Sequence, residues 1–219
     1  MNMELTYIKP QEIEDRSMEI IRVELEQLRK ERGLSPIEET WTPEEFAVVS
    51  RCIHTSADFD YGDNLYFSQG AVEAGIRALK AGASIVTDTQ MAYSGIRKAA
   101  LEALGGNACC FMAQGDVAKE AKERGCTRAV VCMERAAKVK GPLILAIGNA
   151  PTALIRLREL MDQGEIRPAL VIAVPVGFVN VVESKELIRE SSVPCIVARG
   201  RKGGSNVAAA ICNALLKNC

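Results

Sequence analysis

The sequence predicts an α/β protein: a doubly wound, mostly parallel five-stranded sheet of the flavodoxin-like kind, with helices on both faces and an N-terminal helical extension. Two observations predict it. Short apolar runs at 83–87, 108–112, 142–147, 169–176 and 194–198 alternate with helix-like stretches, and strands alternating with helices build a parallel sheet covered on both sides, with right-handed crossovers. No linker, low-complexity tract or internal repeat divides the 219 residues, 48% of which are hydrophobic. One domain is therefore expected, with 1–64 as its helical part and 65–219 as its sheet part.

The first helix is predicted over 12–32, where Ile13, Ser17, Ile20, Ile21, Glu24, Leu25 and Leu28 share one stripe. The stripe is apolar except at Ser17 and Glu24. A serine there either bonds back to a carbonyl one turn earlier or turns its hydroxyl to a ligand. Gly33-Leu34-Ser35-Pro36 closes this helix, and Thr42-Pro43-Glu44-Glu45 opens the next with a threonine cap, a proline at the first helical position and Glu45 at capping-box spacing. That second helix runs through Phe46, Val48, Val49 and Ile53, and Thr55-Ser56-Ala57-Asp58 ends it. Further helices are expected at 69–81, 91–104, 116–124, 127–138, 152–163, 183–190 and 206–217.

His54, the only histidine, falls in the last turn of the second helix and is the one side chain whose ordinary titration lies near neutral pH. Arg51, three residues earlier, shares its helical face, which makes a site for an anion and a proton together. Asp58 and Asp60 follow closely and are candidate partners for the imidazole.

In a doubly wound sheet the ligand crevice lies at the carboxyl ends of the strands. The segments there are Asp88-Thr89-Gln90-Met91, Gly148-Asn149-Ala150-Pro151-Thr152, Gly177-Phe178-Val179-Asn180 and Arg199-Gly200-Arg201-Lys202-Gly203-Gly204-Ser205. The second is expected to leave backbone N–H groups free for an anion. In the last, glycines admit a ligand close to the backbone while Arg199, Arg201 and Lys202 supply charge. Arg97 and Arg128 add candidate cations at helix starts. None of these segments fits a dinucleotide or Walker fingerprint.

Composition excludes several classes. Twenty-seven basic against 28 acidic residues provide no general field for nucleic acid. The longest apolar stretch, 168–182, is broken by Pro175 and Gly177 and is shorter than the roughly 20 residues of a membrane span. Eight cysteines without a Cys-x-x-Cys pair, one histidine and an N-terminus lacking a secretory pattern point to reduced thiols in a cytoplasmic protein, with no protein-bound metal.

Taken together and in order, several segments resemble the precorrin-8X methylmutase family, its cobalt-precorrin-8 members included. They are Tyr7-Ile8, Ile53-His54-Thr55-Ser56-Ala57-Asp58-Phe59, Gly82-Ala83-x-Ile85-Val86-x-Asp88, Gly148-Asn149-Ala150-Pro151-Thr152-Ala153-Leu154, Pro175-Val176-Gly177-Phe178-Val179 and Arg199-Gly200-Arg201-Lys202-Gly203-Gly204-Ser205. The resemblance implies a methyl shift from C-11 to C-12 of a contracted tetrapyrrole, giving hydrogenobyrinate or cobalt-containing cobyrinate, with no cofactor. It implies His54 as proton donor and acceptor, with Ser17, Arg51 and Arg128 at the substrate, and a homodimer with the pocket near the subunit interface. Arg97 has no counterpart in that set. The His-Thr-Ser-Ala-Asp-Phe motif is more similar to the cobalt branch, in which the metal belongs to the substrate. With these, Asp88, Asn149, Thr152, Arg201, Gly203, Gly204 and Ser205 are the expected substrate-binding residues. The alternative is a non-catalytic corrinoid- or flavin-binding protein on the same fold, which needs the arginines but not His54.

Overall fold

The computed structural model describes residues 9–219, so Tyr7 and Ile8 lie outside the described residues. After a single 3₁₀ turn at Pro10–Glu12, the N-terminal part contains α1 (Ile13–Glu31), α2 (Ile37–Thr40), α3 (Pro43–Ser56) and α4 (Tyr61–Asn64). The sheet part follows as β1 (Leu65–Phe67), α5 (Ala71–Lys80), β2 (Ser84–Thr87), α6 (Gln90–Gly95), α7 (Lys98–Ala103) and β3 (Asn107–Cys109). It continues through α8 (Gly115–Arg124), α9 (Arg128–Ala136), β4 (Leu143–Ile147), α10 (Pro151–Asp162), β5 (Leu170–Ala173), α11 (Val181–Arg189), β6 (Cys195–Ala198) and α12 (Ser205–Lys217).

Among the described residues the sheet has six strands, not five, in the order β1-β6-β5-β4-β2-β3. The extra strand is β1, which runs antiparallel to β6 with Leu65 opposite Ala198. Three residues directly after a helical turn carry no periodicity of their own, and β1 becomes a strand only because the edge of β6 offers unpaired backbone groups. The other neighbours are parallel. The chain leaves β2 for the outer strand β3 and then crosses back to β4 on the other side of β2, so strand order reverses between β2 and β4. A crevice opens at such a reversal.

Alternate residues of the strands face two cores. Ile85, Ile144, Ala146, Ile172 and Ile196 pack under α1, α3, α5 and α12, whereas Val86, Leu145, Ile147, Val171 and Val197 pack under α8, α9, α10 and α11. This period of two places one apolar face toward each helical layer. The predicted helix over 91–104 is broken at Ile96 and Arg97. Asn213 of α12 accepts from the Arg97 N–H at 2.9 Å and donates to the Gly95 carbonyl at 2.9 Å, replacing the helical bonds. Gly95 itself lets α6 rest on α12, since a Cβ there would sit 2.8 Å from that of Ala209. Among the described residues, no helix is long and apolar enough to cross a membrane.

Candidate functional site

The histidine-bearing helix is built as its sequence requires. The Glu45 N–H donates to Thr42 Oγ1 at 3.2 Å, and the Thr42 N–H donates to the Glu45 carboxylate at 3.0 Å, closing the capping box. Val48, Val49, Cys52 and Ile53 are buried, which leaves His54 exposed in the final turn. The helix stops at Ala57, whose φ of 53° is left-handed and whose N–H bonds the Ile53 carbonyl at 2.7 Å.

Asp58 and Asp60 are not the imidazole's partners. Both take Lys202, whose Nζ lies 2.6 Å from Asp58 and 2.5 Å from Asp60, and this ammonium holds the Asp60 carboxyl below its usual range. An ammonium within hydrogen-bond distance of both carboxylates satisfies them with short, charge-assisted bonds. The consequence is positional: the chain just past His54 is tied to the loop that follows β6 at the carboxyl end of the sheet.

Arg51 is also engaged. Its Nη2 donates to Glu14 of α1 at 2.6 Å, and Lys217 of α12 donates to the same carboxylate oxygen at 2.9 Å. Hydrogen bonds from Lys217 and Arg51 pull the Glu14 carboxyl from 4.5 to about 2. Because the folded value is depressed, the stability Glu14 adds is present above pH about 4.5 and is lost as pH falls toward 2. Glu14→Gln is expected to flatten that part of the acid-unfolding curve, followed by circular dichroism; a curve superimposable on the unaltered protein's would refute the linkage. Ser17, one turn after Glu14, donates its hydroxyl to the Ile13 carbonyl at 2.8 Å and so takes the helix-internal option its position allowed. The Glu14–Arg51 pair nevertheless turns the Ser17 side of α1 toward the Arg51 and His54 side of α3.

The strand-end segments differ from expectation at one point. Asp88, after β2, is 1% exposed and accepts from the backbone N–H groups of Gly148, Asn149 and Ala150 at 2.8, 2.8 and 2.7 Å. Burial pushes its carboxyl up while these three donors oppose the shift. The N–H groups expected to hold a substrate anion therefore already hold an internal one, and Asp88 braces the two loops against each other. The reason is topological, since β2 and β4 are adjacent and bring Asp88 beside the start of α10.

The remaining predicted residues line the rim. Thr152 shares a hydrogen bond of 2.9 Å with Thr127, the cap of α9, and Arg128 next to it is exposed with only a 3.3 Å contact to the Met112 carbonyl. Asn149 is exposed. Ser205 shares a hydrogen bond of 2.8 Å with Thr89, and the Gly204 N–H donates to the Val174 carbonyl at 2.9 Å. Gly203, with φ at 155°, passes so near β5 that a Cβ would lie 2.1 Å from the Val174 oxygen. Arg201 is exposed, its guanidinium 5.3 Å from the centre of the Phe178 ring. Phe178 and Val179, adjacent in the segment after β5, are 81% and 77% exposed.

Two groups thus emerge. Ser17, Arg51 and His54 lie where α1 meets α3; Arg128, Asn149, Thr152, Arg201 and Gly203 to Ser205 follow the carboxyl rim, and Lys202 links the two. Glu14, the Lys202 bridge and the Phe178–Val179 platform were missed in the sequence, because ion pairs across the fold leave no local pattern and exposure is not written in residue type. Among the described residues, no group of three or more His, Cys, Asp or Glu side chains is placed to hold a metal ion.

A family model described as precorrin-8X methylmutase matches residues 12–218. A cobalt-precorrin-8 methylmutase from Priestia megaterium is 43% identical over 208 residues, covering 95% of this chain and 88% of the relative. A protein of the same name from Salmonella typhimurium is 43% identical over 210 residues, covering 95% of each chain. The crystal structure of a precorrin-8X methylmutase from Thermus thermophilus superposes with a TM-score of 0.81 at 38% identity, covering 94% of this chain and 96% of that one.

Proposed function

The chain belongs to the precorrin-8X methylmutase family, so it is a methyl-transferring isomerase of corrin biosynthesis, and we propose that it carries the methyl group from C-11 to C-12 of precorrin-8. Relatives named for cobalt-precorrin-8 support a cobalt-containing substrate and a cobyrinate product. The order of the parallel strands supports reading the sheet as flavodoxin-like, with the substrate at the reversal between β2 and β4. Because α1 and α3 share a core with the strands, the helical and sheet parts are read as one domain.

The observation that carries the reading is the pairing of an exposed apolar platform, Phe178 and Val179, with cations on one rim, to which the end of the His54 helix is tied through Lys202. A corrinoid is a flat apolar ring edged with acetate and propionate arms. The ring suits Phe178 and Val179, and the arms suit Arg201, Arg128 and the exposed amide of Asn149. A sigmatropic methyl shift is unimolecular, so the protein's work is to hold the macrocycle in the reactive shape and to give and take a proton. His54 is the group placed to do so. Exposure of His54 also favours a homodimer in which a second copy covers the site, and eight free cysteines fit a cytoplasmic setting.

Incubation with metal-free and with cobalt-containing precorrin-8, followed by absorption spectra and the position of the migrated methyl, tests the reaction. Conversion of neither substrate overturns it. Replacing Arg128 or Arg201 by alanine is expected to weaken product binding by about 1.5–3 kcal/mol each, as for a lost hydrogen bond to a charged group. Unchanged affinity in both variants would place the rim elsewhere.

A further inference from the structure

Lys185, in α11, has no part in the chemistry just described, yet it is the largest of the fully buried side chains, with 0% of its surface exposed. Among the described residues no carboxylate pairs with it. Its Nζ instead donates to the carbonyl oxygens of Gly200 and Lys202, both at 2.8 Å. These two carbonyls flank Arg201, so the segment bends around the ammonium and the Arg201 side chain is turned outward. Gly200, at φ 70°, supplies the left-handed residue that such a bend requires. The Gly177 N–H meets the Arg201 carbonyl at 3.2 Å and completes the fixation from the β5 side.

A buried cation without a counter-ion is destabilising, and here it sits beneath a loop that already carries Arg199, Arg201 and Lys202. Burial accordingly pushes the ammonium down from 10.5 to about 8. A methionine of similar reach would fill the space without that penalty, so packing alone does not account for lysine. What a lysine adds is a multi-donor group that binds two carbonyls at once and holds the backbone between them.

We propose that Lys185 is a positioning residue for substrate recognition: its ammonium holds the loop after β6 in the shape that presents Arg199 and Arg201 to the carboxylate arms of the substrate. This rests on the reading of Arg201 as a substrate contact given above. Lys185 touches no reacting atom, so its loss weakens binding and leaves the methyl shift itself to His54.

The test uses Lys185→Met, which keeps bulk without donors, and Lys185→Gln, which keeps a donor and secures a folded variant where methionine proves too disruptive. Product affinity by absorption titration, together with KM and kcat, is compared in the single variants and in combination with Arg201→Ala. Removal of the donors is expected to raise both Kd and KM about ten-fold, with kcat within about three-fold and partial rescue in the glutamine variant, the size of effect expected for one charge-assisted contact. The double variant with Arg201→Ala should be weaker by less than the sum of the two changes, because both act through one contact. Folded variants with unaltered Kd and KM, or full additivity with Arg201→Ala, overturn the proposal. If Arg201→Ala alone leaves affinity unchanged, the assignment of Arg201 fails, and a raised Kd in Lys185→Met with partial rescue in Lys185→Gln still supports the hold of Lys185 on the cationic loop.

Discussion

Replacing His54 by asparagine is expected to slow methyl migration about 10²–10⁴-fold in single turnover while product affinity stays close to that of the unaltered protein. The chain holds no second histidine, the nearby carboxylates Asp58 and Asp60 are engaged by Lys202, and the Glu14 carboxylate is taken by Arg51 and Lys217. The buried thiols of Cys132 and Cys212 are poor substitutes at neutral pH, since burial drives both up to about 12. In the proposed reading binding rests on other groups, the rim arginines and the apolar pair Phe178 and Val179, so affinity and rate are expected to separate. Asparagine is the informative replacement because it keeps one hydrogen bond but shuttles no proton. Single-turnover absorption measurements, which bypass slow product release, decide the matter; the wild-type rate in His54→Asn would remove the proton-transfer role from the mechanism.

The largest effect on stability is expected at Asp88. Alanine there leaves three backbone N–H groups, those of Gly148, Asn149 and Ala150, without their acceptor at the junction of β2, β4 and α10. An uncompensated set of charge-assisted donors costs about 3 kcal/mol or more, equivalent to about 6–12 °C in Tm for a chain of this length. Asparagine should recover only part of the loss, because its oxygen can serve two of the donors while its NH₂ faces the third. Activity should fall as well, since the segment leading into Thr152 loses its anchor. Calorimetry with both variants provides the check, and a Tm within about 2 °C of the unaltered protein would mean that Asp88 braces nothing.

Much of this was legible in the sequence for a physical reason that can be stated residue by residue. The capping box at Thr42 and Glu45, the end of α3 just past His54 and the five parallel strands all depend on neighbours a few positions apart, where turn chemistry and hydrophobic periodicity act. The α/β class and the location of candidate residues at strand ends followed from the same local rules. The motif order pointed to the family that the comparisons then established.

Other features depend on groups far apart in the chain. Whether β1 is a strand depends on an open edge of β6, and whether 91–104 is one helix depends on Asn213. Asp88 looked like a ligand contact because its segment ends a strand, but Gly148 to Ala150, some 60 positions away, claim its carboxylate. Asp58 and Asp60 looked like partners for His54 until Lys202 reached them from the far end of the chain. The sequence by itself determined most of the longer helices and most strands, the two-layered burial and the residue types available for chemistry, because short-range sterics and the drive to bury apolar surface act wherever the pattern occurs. Only the tertiary structure decided which charges meet, because a buried or half-buried charge takes the nearest opposite group in space, and nearness across the sheet is created by folding itself.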